Sequence, residues 1–279
     1  MGLMKKSNWR KKLAVVDKSI GWITFNNPGR HNAMSMEMWL ALADVLKQLA
    51  QDDSLRVVIL KGAGPKAFVS GADISEFGEK RNSQEQRDAY EAAFDEAQNE
   101  LASFKNPTIA MIQGFCVGGG MALALNCDVR IATEDSCFAI PAAKLGLGYS
   151  YDSIKTLTSI VGPSFAKDIL FSARFLESEE AQCIGLINQV VTRESLLEKV
   201  LEYASAVANN APLTIGSIKA AVNEVVKDPG QMAPEYIEKL VNDCFLSEDY
   251  EEGRTAFVDK RKPMFKELLT PLLFSSREL

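Results

Sequence analysis

Two glycine-bearing segments have the composition to offer main-chain hydrogen-bond donors. The first runs Gly62-Ala63-Gly64-Pro65-Lys66-Ala67-Phe68-Val69-Ser70-Gly71-Ala72-Asp73-Ile74, where an apolar strand leads into small residues and Asp73 then opens a turn or helix. The second runs Gly114-Phe115-Cys116-Val117-Gly118-Gly119-Gly120-Met121-Ala122, directly after the apolar run Thr108 to Gln113. Small residues let a ligand approach the backbone closely, and N–H groups at the start of a helix lack intrahelical acceptors. Such donors suit an anion or a developing oxyanion. Each segment alone also fits an ordinary tight turn. The second is not GxGxxG and no GK[ST] follows it, so the dinucleotide and P-loop readings fail. Together the two segments offer more: two donors converging on one oxygen make an oxyanion hole, and losing one such donor costs about 2.7–4 kcal/mol in the transition state.

The rest of the inventory narrows the chemistry. His31 is the single histidine, in a Gly/Asn-rich loop with no nucleophile motif beside it. That excludes a His-rich metal centre and leaves a Ser-His-Asp triad without support. Five cysteines without a CxxC spacing read as reduced thiols, not a zinc site or a disulfide framework. A net charge of -6 and a pI near 5.1 argue against nucleic acid as the main partner. The 279 residues, 47% apolar and 24% charged, belong to a globular chain large enough to build its core without staples. The uncharged stretch Asn106 to Cys127 is interrupted by Pro107, Gln113 and three glycines, so it reads as strand, glycine turn and buried helix and not as a membrane span. The basic first twelve residues lack an apolar core, which excludes a secretory signal and sets the expectation of a cytoplasmic protein.

The elements that must hold these segments follow from hydrophobic period. Leu13 to Val16, Ile20 to Phe25, Val57 to Leu60, Lys66 to Val69, Thr108 to Gln113, Val129 to Ala132 and Phe138 to Ile140 read as short strands. Met36 to Leu49 reads as a helix with Ser35 as its N-cap. Gln84 to Phe104 carries one apolar stripe, Tyr90, Phe94, Ala97, Leu101 and Phe104, with its polar residues on a solvated face. Past residue 192 the strand signal stops, and Ser195 to Asn209, Leu213 to Val226, Glu235 to Leu246 and Asp249 to Lys260 read as helices. The expected layout is α/β over 1–192 and all-helical over 193–279. The Leu-rich end, Leu268 to Phe274, is expected to pack on the protein's own surface or on a neighbouring subunit.

The sequence resembles the crotonase, or enoyl-CoA hydratase/isomerase, superfamily over nearly its whole length. The resemblance is carried by Asn27-Pro28 with His31-Asn32-Ala33-Met34, by Lys66 through Ile74, and by Gly114 through Ala122 with Cys127-Asp128. It continues in Phe138-Ala139-Ile140-Pro141 with Leu145-Gly146-Leu147, and in Thr255 through Lys262. The resemblance implies a ββα spiral core with a C-terminal helical trimerisation region. It implies an acyl-CoA thioester substrate whose carbonyl oxygen, the future enolate oxygen, is held by the N–H groups of Ala72 and Gly119. The coenzyme A portion would lie along Arg30, His31 and Ala33 and along Ser70, Gly71, Ala72, Asp73 and Ile74. Pro141 and Ala142 would border the substrate, and Phe257 and Lys260 would meet the CoA 3′-phosphate, often from a neighbouring subunit. Homotrimers or dimers of trimers are implied, with no metal and no cofactor beyond the coenzyme A of the substrate.

The sequence departs from the family at the acid/base groups. The two positions at which hydratases carry glutamates are Ala122 and Ala142 here. General acid/base help is worth about 10²–10⁴-fold, so two-glutamate hydration should be crippled while a backbone oxyanion hole survives. Enolate chemistry without a base, such as decarboxylation of a malonyl-type CoA, is one alternative; relatives of that kind carry a Tyr shortly after a Leu-Gly pair, loosely matched by Tyr149 and Tyr151. Tyr149, Tyr151, Asp152 and Lys144 are the nearest replacement acids. Each also has a plain structural role available: the tyrosines as packing aromatics, Asp152 as a helix N-cap, Lys144 as a surface residue. A non-catalytic CoA-ester binding protein is a second alternative. RNA binding is a third, disfavoured by the acidic pI.

Overall fold

The computed structural model describes residues 14–73, 76, 83–227 and 229–268. Ten strands form two sheets. The larger has six, in the order β1 (Ala14–Asp17), β2 (Ile20–Phe25), β3 (Val57–Gly62), β5 (Thr108–Ile112), β7 (Val129–Thr133) and β10 (Gln189–Val191). The smaller has four: β4 (Ala67–Val69), β6 (Phe115–Val117), β8 (Cys137–Ala139) and β9 (Leu176–Glu177). Only β1–β2 and β8–β9 are antiparallel. From β3 onward the chain makes one strand in the large sheet, one in the small sheet, then a helix. This pass occurs three times, with α2 (Gln84–Ala102), α3 (Gly119–Asn126) and α4 (Ala142–Leu145) closing β3–β4, β5–β6 and β7–β8. The result is the ββα spiral that the sequence resemblance implies.

Local chemistry explains the elements. Helix α1 (Met36–Leu49) starts where the Ser35 side chain accepts from the Met38 N–H. It buries Met38, Trp39, Leu42, Ala43, Leu46 and Leu49 on one stripe. Helix α2 opens on a capping box in which Ser83 and Gln86 satisfy each other's backbone N–H groups. Its stripe is as expected, but the helix ends at Ala102, and Phe104 is buried from the following turn. Strand β3 is covered on both faces, so Val57, Val58, Ile59 and Leu60 are all fully buried. On one side lies the main core with α1 and α2; on the other, Val57, Ile59, Ile109 and Ile131 pack on Leu196, Val200 and Ala204.

Three strands were not foreseen. β6 is the three-residue run between Gly114 and Gly118, read from sequence as part of a glycine loop; β9 and β10 are two and three residues long. A long helix, α5 (Tyr151–Ser172), contains a break at Gly162-Pro163, where Gly162 has φ 75°. Helix α6 (Ser178–Cys183) links β9 toward β10. After Val191 every described element is helical: α7 (Leu196–Ala208), α8 (Pro212–Val225), α9 (Pro234–Phe245) and α10 (Glu248–Val258), with one 3-10 turn at Pro229–Gln231. Leu13, Ile74 and the run 269–274 lie outside the described residues. No described helix is long and apolar enough to cross a membrane.

Candidate active site

The small sheet brings the two glycine segments together. Strand β4 runs parallel to β6, pairing Ala67 with Phe115 and Val69 with Cys116. Beyond the paired residues the backbone turns at Gly71 (φ 110°) and at Gly118 (φ 54°), conformations that only glycine enters cheaply. The bends stay in contact: a Cβ on Gly118 would lie 3.7 Å from the Gly71 Cα, and one on Gly119 would lie 3.8 Å from the Gly71 carbonyl carbon. On the far side of the first bend, the Met34 N–H donates to the Gly71 carbonyl at 2.8 Å and the Asp73 N–H donates to the Met34 carbonyl at 2.8 Å. Met34 therefore bonds to the residues on either side of Ala72, and the Ala72 N–H takes no part in that bridge. Gly119 is the first residue of α3, so its N–H has no intrahelical acceptor. The Trp39 ring lies against the same residue, 3.1 Å from where a Gly119 Cβ would stand. Two such amides on adjoining bends suit an oxygen that gains negative charge.

The loop that the resemblance assigns to coenzyme A is zipped onto the first bend. Pro28–Arg30 forms one 3-10 turn, after which His31 (φ 49°) and Asn32 (φ 57°) are left-handed. Asn32 is 1% exposed. Its side-chain oxygen accepts from the Asn27 N–H, and its Nδ2 donates to the Ala63 and Ala67 carbonyls at 3.0 and 2.8 Å. That side chain pins the loop to the β3–β4 connection, a role the sequence did not disclose. The Ser70 N–H donates to the His31 carbonyl and its hydroxyl to the Arg30 carbonyl. Arg30 pairs with Asp73 at 2.5 Å, and His31 stacks on Phe115 at 5.7 Å. Arg30, His31, Ala33, Ser70, Gly71, Ala72 and Asp73 therefore share one rim of the site. Phe257 and Lys260 do not join it within the chain. Phe257 is 85% exposed, and no hydrogen bond, ion pair or ring contact among the described residues links either to the glycine bends.

The alanines stand behind the bends. Ala122 is buried on α3, one turn after Gly119. The Pro141 ring lies 3.9 Å from the Cβ position of Gly118, and Ala142 opens α4 as a buried residue. Tyr149 packs partly buried against the main core, and that burial pushes its phenol up to about 12. Tyr151, by contrast, is exposed and does not act as a packing aromatic. Ser150, not Asp152, is the N-cap of α5: its side chain accepts from the Ser153 N–H, and Asp152 sits in the first turn. Sequence reasoning missed the aromatic wall behind Gly119. Trp39 donates its indole N–H to the Tyr90 hydroxyl at 2.9 Å, and Phe94 meets Trp39 edge-on at 5.0 Å. Tyr90 and Phe94 were visible as a helix stripe, but only the fold sets that stripe beside the site.

A two-sheet ββα spiral with these paired bends defines a protein of the crotonase fold class. The family model described as enoyl-CoA hydratase/isomerase matches residues 16–268, and the chain belongs to that family. Among curated relatives, a short-chain-enoyl-CoA hydratase of Clostridium acetobutylicum is 32% identical over 240 residues, covering 86% of this chain and 91% of that protein. A crotonyl-CoA hydratase of Syntrophomonas wolfei is 32% identical over 249 residues, 89% and 95% of the two chains. Among solved structures, an enoyl-CoA hydratase/carnithine racemase from Magnetospirillum magneticum superposes with a TM-score of 0.85 at 36% identity, covering 91% of this chain and 94% of that one.

Proposed function

We propose that the protein binds acyl-CoA thioesters and stabilises the thioester enolate with the main-chain N–H groups of Ala72 and Gly119. The observation that carries this reading is the contact of the Gly71 and Gly118-Gly119 bends, with the Ala72 N–H outside the Met34 bridge and the Gly119 N–H at the open start of α3. Names of the relatives, which act on short-chain enoyl-CoA and crotonyl-CoA, support the substrate class. Coenzyme A would follow the rim formed by Arg30, His31, Ala33 and Ser70 through Asp73, and a neighbouring subunit of a trimer would supply Phe257 and Lys260. The reaction needs no resident metal or redox group, because the chemical demand is charge stabilisation on one oxygen and proton transfer at carbon.

Ala122 and Ala142 cannot transfer protons. Either other side chains do so, or the enolate forms without a base. The second case looks to Tyr149, a phenol packed partly buried against the main core, as the side chain that would border the carboxylate lost as CO2 from a malonyl-type thioester. Single-turnover reactions with crotonyl-CoA and with methylmalonyl-CoA separate the two. Hydration that proceeds fast and survives both Tyr149→Phe and Asp152→Asn would contradict the assignment of this site. Binding of both esters by calorimetry with no product by mass spectrometry would instead make the protein a CoA-ester binder.

A further inference from the structure

The two amides assigned to the oxyanion hole lie on separate bends, and one short segment of the chain touches both. Met34 binds the first bend on either side of Ala72: its N–H donates to the Gly71 carbonyl and its carbonyl accepts from the Asp73 N–H, each at 2.8 Å. Further along the same segment, Trp39 reaches the second bend. Its Cζ2 and Cη2 stand 3.1 and 3.6 Å from where a Gly119 Cβ would be, so the indole edge rests on glycine main chain. The residues between are fixed. Ser35 accepts from the Met38 N–H at 3.3 Å, and the Met36 N–H donates to Glu76 Oε2 at 3.0 Å. Met34 and Trp39 are fully buried. Trp39 is held in turn from α2. Its indole N–H donates to the Tyr90 hydroxyl at 2.9 Å, and Phe94, one turn further along α2, meets the ring edge-on at 5.0 Å. Tyr90 is buried as well, so the bond is shielded from water. An aliphatic side chain at position 39 could fill the same core. An indole tied by its only polar atom has a fixed rotation as well as a fixed place.

We propose that Trp39 and Tyr90 are positioning residues for the oxyanion hole. Trp39 sets where the Gly119 N–H stands relative to the Ala72 N–H, and Tyr90 sets the angle of the Trp39 ring. This rests on the enolate reading above. The physical reason is preorganisation: main-chain donors stabilise a developing charge best when they are already aimed at it and need not move as it appears. The run Gly118-Gly119-Gly120 has no side chains to hold its own shape. It is instead clamped from outside. A Cβ on Gly120 would stand 2.1 Å from the Val69 carbonyl oxygen, so β4 blocks one direction, and the Trp39 ring blocks another at Gly119. Because Met34 and Trp39 belong to one capped segment, a shift of the start of α1 moves both bends together and keeps their spacing.

The test is the carbonyl stretch of bound butyryl-CoA, labelled with carbon-13 at the thioester carbon and read by infrared difference spectroscopy, beside calorimetry with the same ester and thermal unfolding. Wild-type protein should move the stretch to lower frequency, because two donors on one oxygen polarise the bond. Tyr90→Phe removes the hydroxyl and keeps every ring, so it remains readable should Trp39→Phe fail to fold. Trp39→Phe withdraws the indole edge from Gly119 and should return the band about half of the way to the free-ester position, one of two donors being loosened. Tyr90→Phe should return it by less. Affinity should fall no more than about tenfold in either, the net worth of one hydrogen bond. The double variant should match Trp39→Phe alone, because the hydroxyl acts only through the indole. Leu46→Ala, a cavity two turns further along α1, should lower the unfolding temperature and leave the band in place. An unmoved band in either single variant overturns the positioning role and leaves the oxyanion reading intact. So does a Leu46→Ala band displaced as far as that of Trp39→Phe, since general loosening would then suffice. An ester that wild-type protein leaves unbound, or binds with its stretch unshifted, overturns the oxyanion reading and the positioning role together.

Discussion

Gly120 shows how little room the paired bends leave. A Cβ at this position would stand 2.1 Å from the Val69 carbonyl oxygen, a contact no side chain can make without moving β4 away from α3. Gly120→Ala is therefore expected to cost about 3 kcal/mol or more in denaturant unfolding, at the upper end for overpacking, because the obstacle is backbone. Tyr149 gives a second residue-level expectation. Its phenol titrates near 12 in the folded protein and near 10 when unfolded, so the folded state holds its proton longer. The resulting contribution to stability is complete below pH 10 and falls away as pH rises from 10 to 12. Unfolding curves across that interval should flatten in Tyr149→Phe relative to wild type; identical slopes would show that the ring is not desolvated. At this scale the sequence was partly readable. Glycine segments announce main-chain donors by composition alone. The structural task of Asn32 did not show, since beside the local Asn27 its partners are Ala63 and Ala67, brought near only by the fold.

Among elements, α1 was legible to the residue because a Ser cap and a long apolar stripe agree with one another. Strand β6 was not, since three residues between two glycines carry too little alternation to mark a strand, although Cys116 and Val117 pair with Phe138 and Ala139. The Gly162-Pro163 break in α5 likewise hid a 22-residue helix from periodicity. Helix α8 is fastened to the spiral by polar contacts: Lys219 Nζ donates to the Asn106 carbonyl at 2.9 Å and pairs with Asp128 at 2.7 Å. Asp128 also accepts the Thr108 N–H at 2.7 Å, tying the starts of β5 and β7 to the helix. The Lys219 side chain is 8% exposed, so these bonds are shielded. Lys219→Met should lower stability by about 1.5–3 kcal/mol, the usual worth of hydrogen bonds to a charged group. Hydrogen exchange should quicken first in α8 and α9; uniform quickening through the large sheet would show that the contact is not local.

At the scale of the whole molecule the alternation of short apolar runs with helical stripes disclosed an α/β part followed by a helical one, and the family resemblance alone implied the spiral. The helical layer after Val191 reads as a separate composition in sequence, yet α7 is part of the main packing, because Leu196, Val200 and Ala204 cover the large sheet. Phe257 stands exposed, apart from the glycine bends of its own chain. The geometry that matters most is the proposed convergence of the Ala72 and Gly119 amides on one oxygen. A crystal structure of the protein with acetoacetyl-CoA measures it directly. The thioester oxygen should lie about 2.7–3.1 Å from both the Ala72 and Gly119 nitrogens. A thioester oxygen bound by side chains or by water, out of reach of either nitrogen, contradicts the proposed function at its centre.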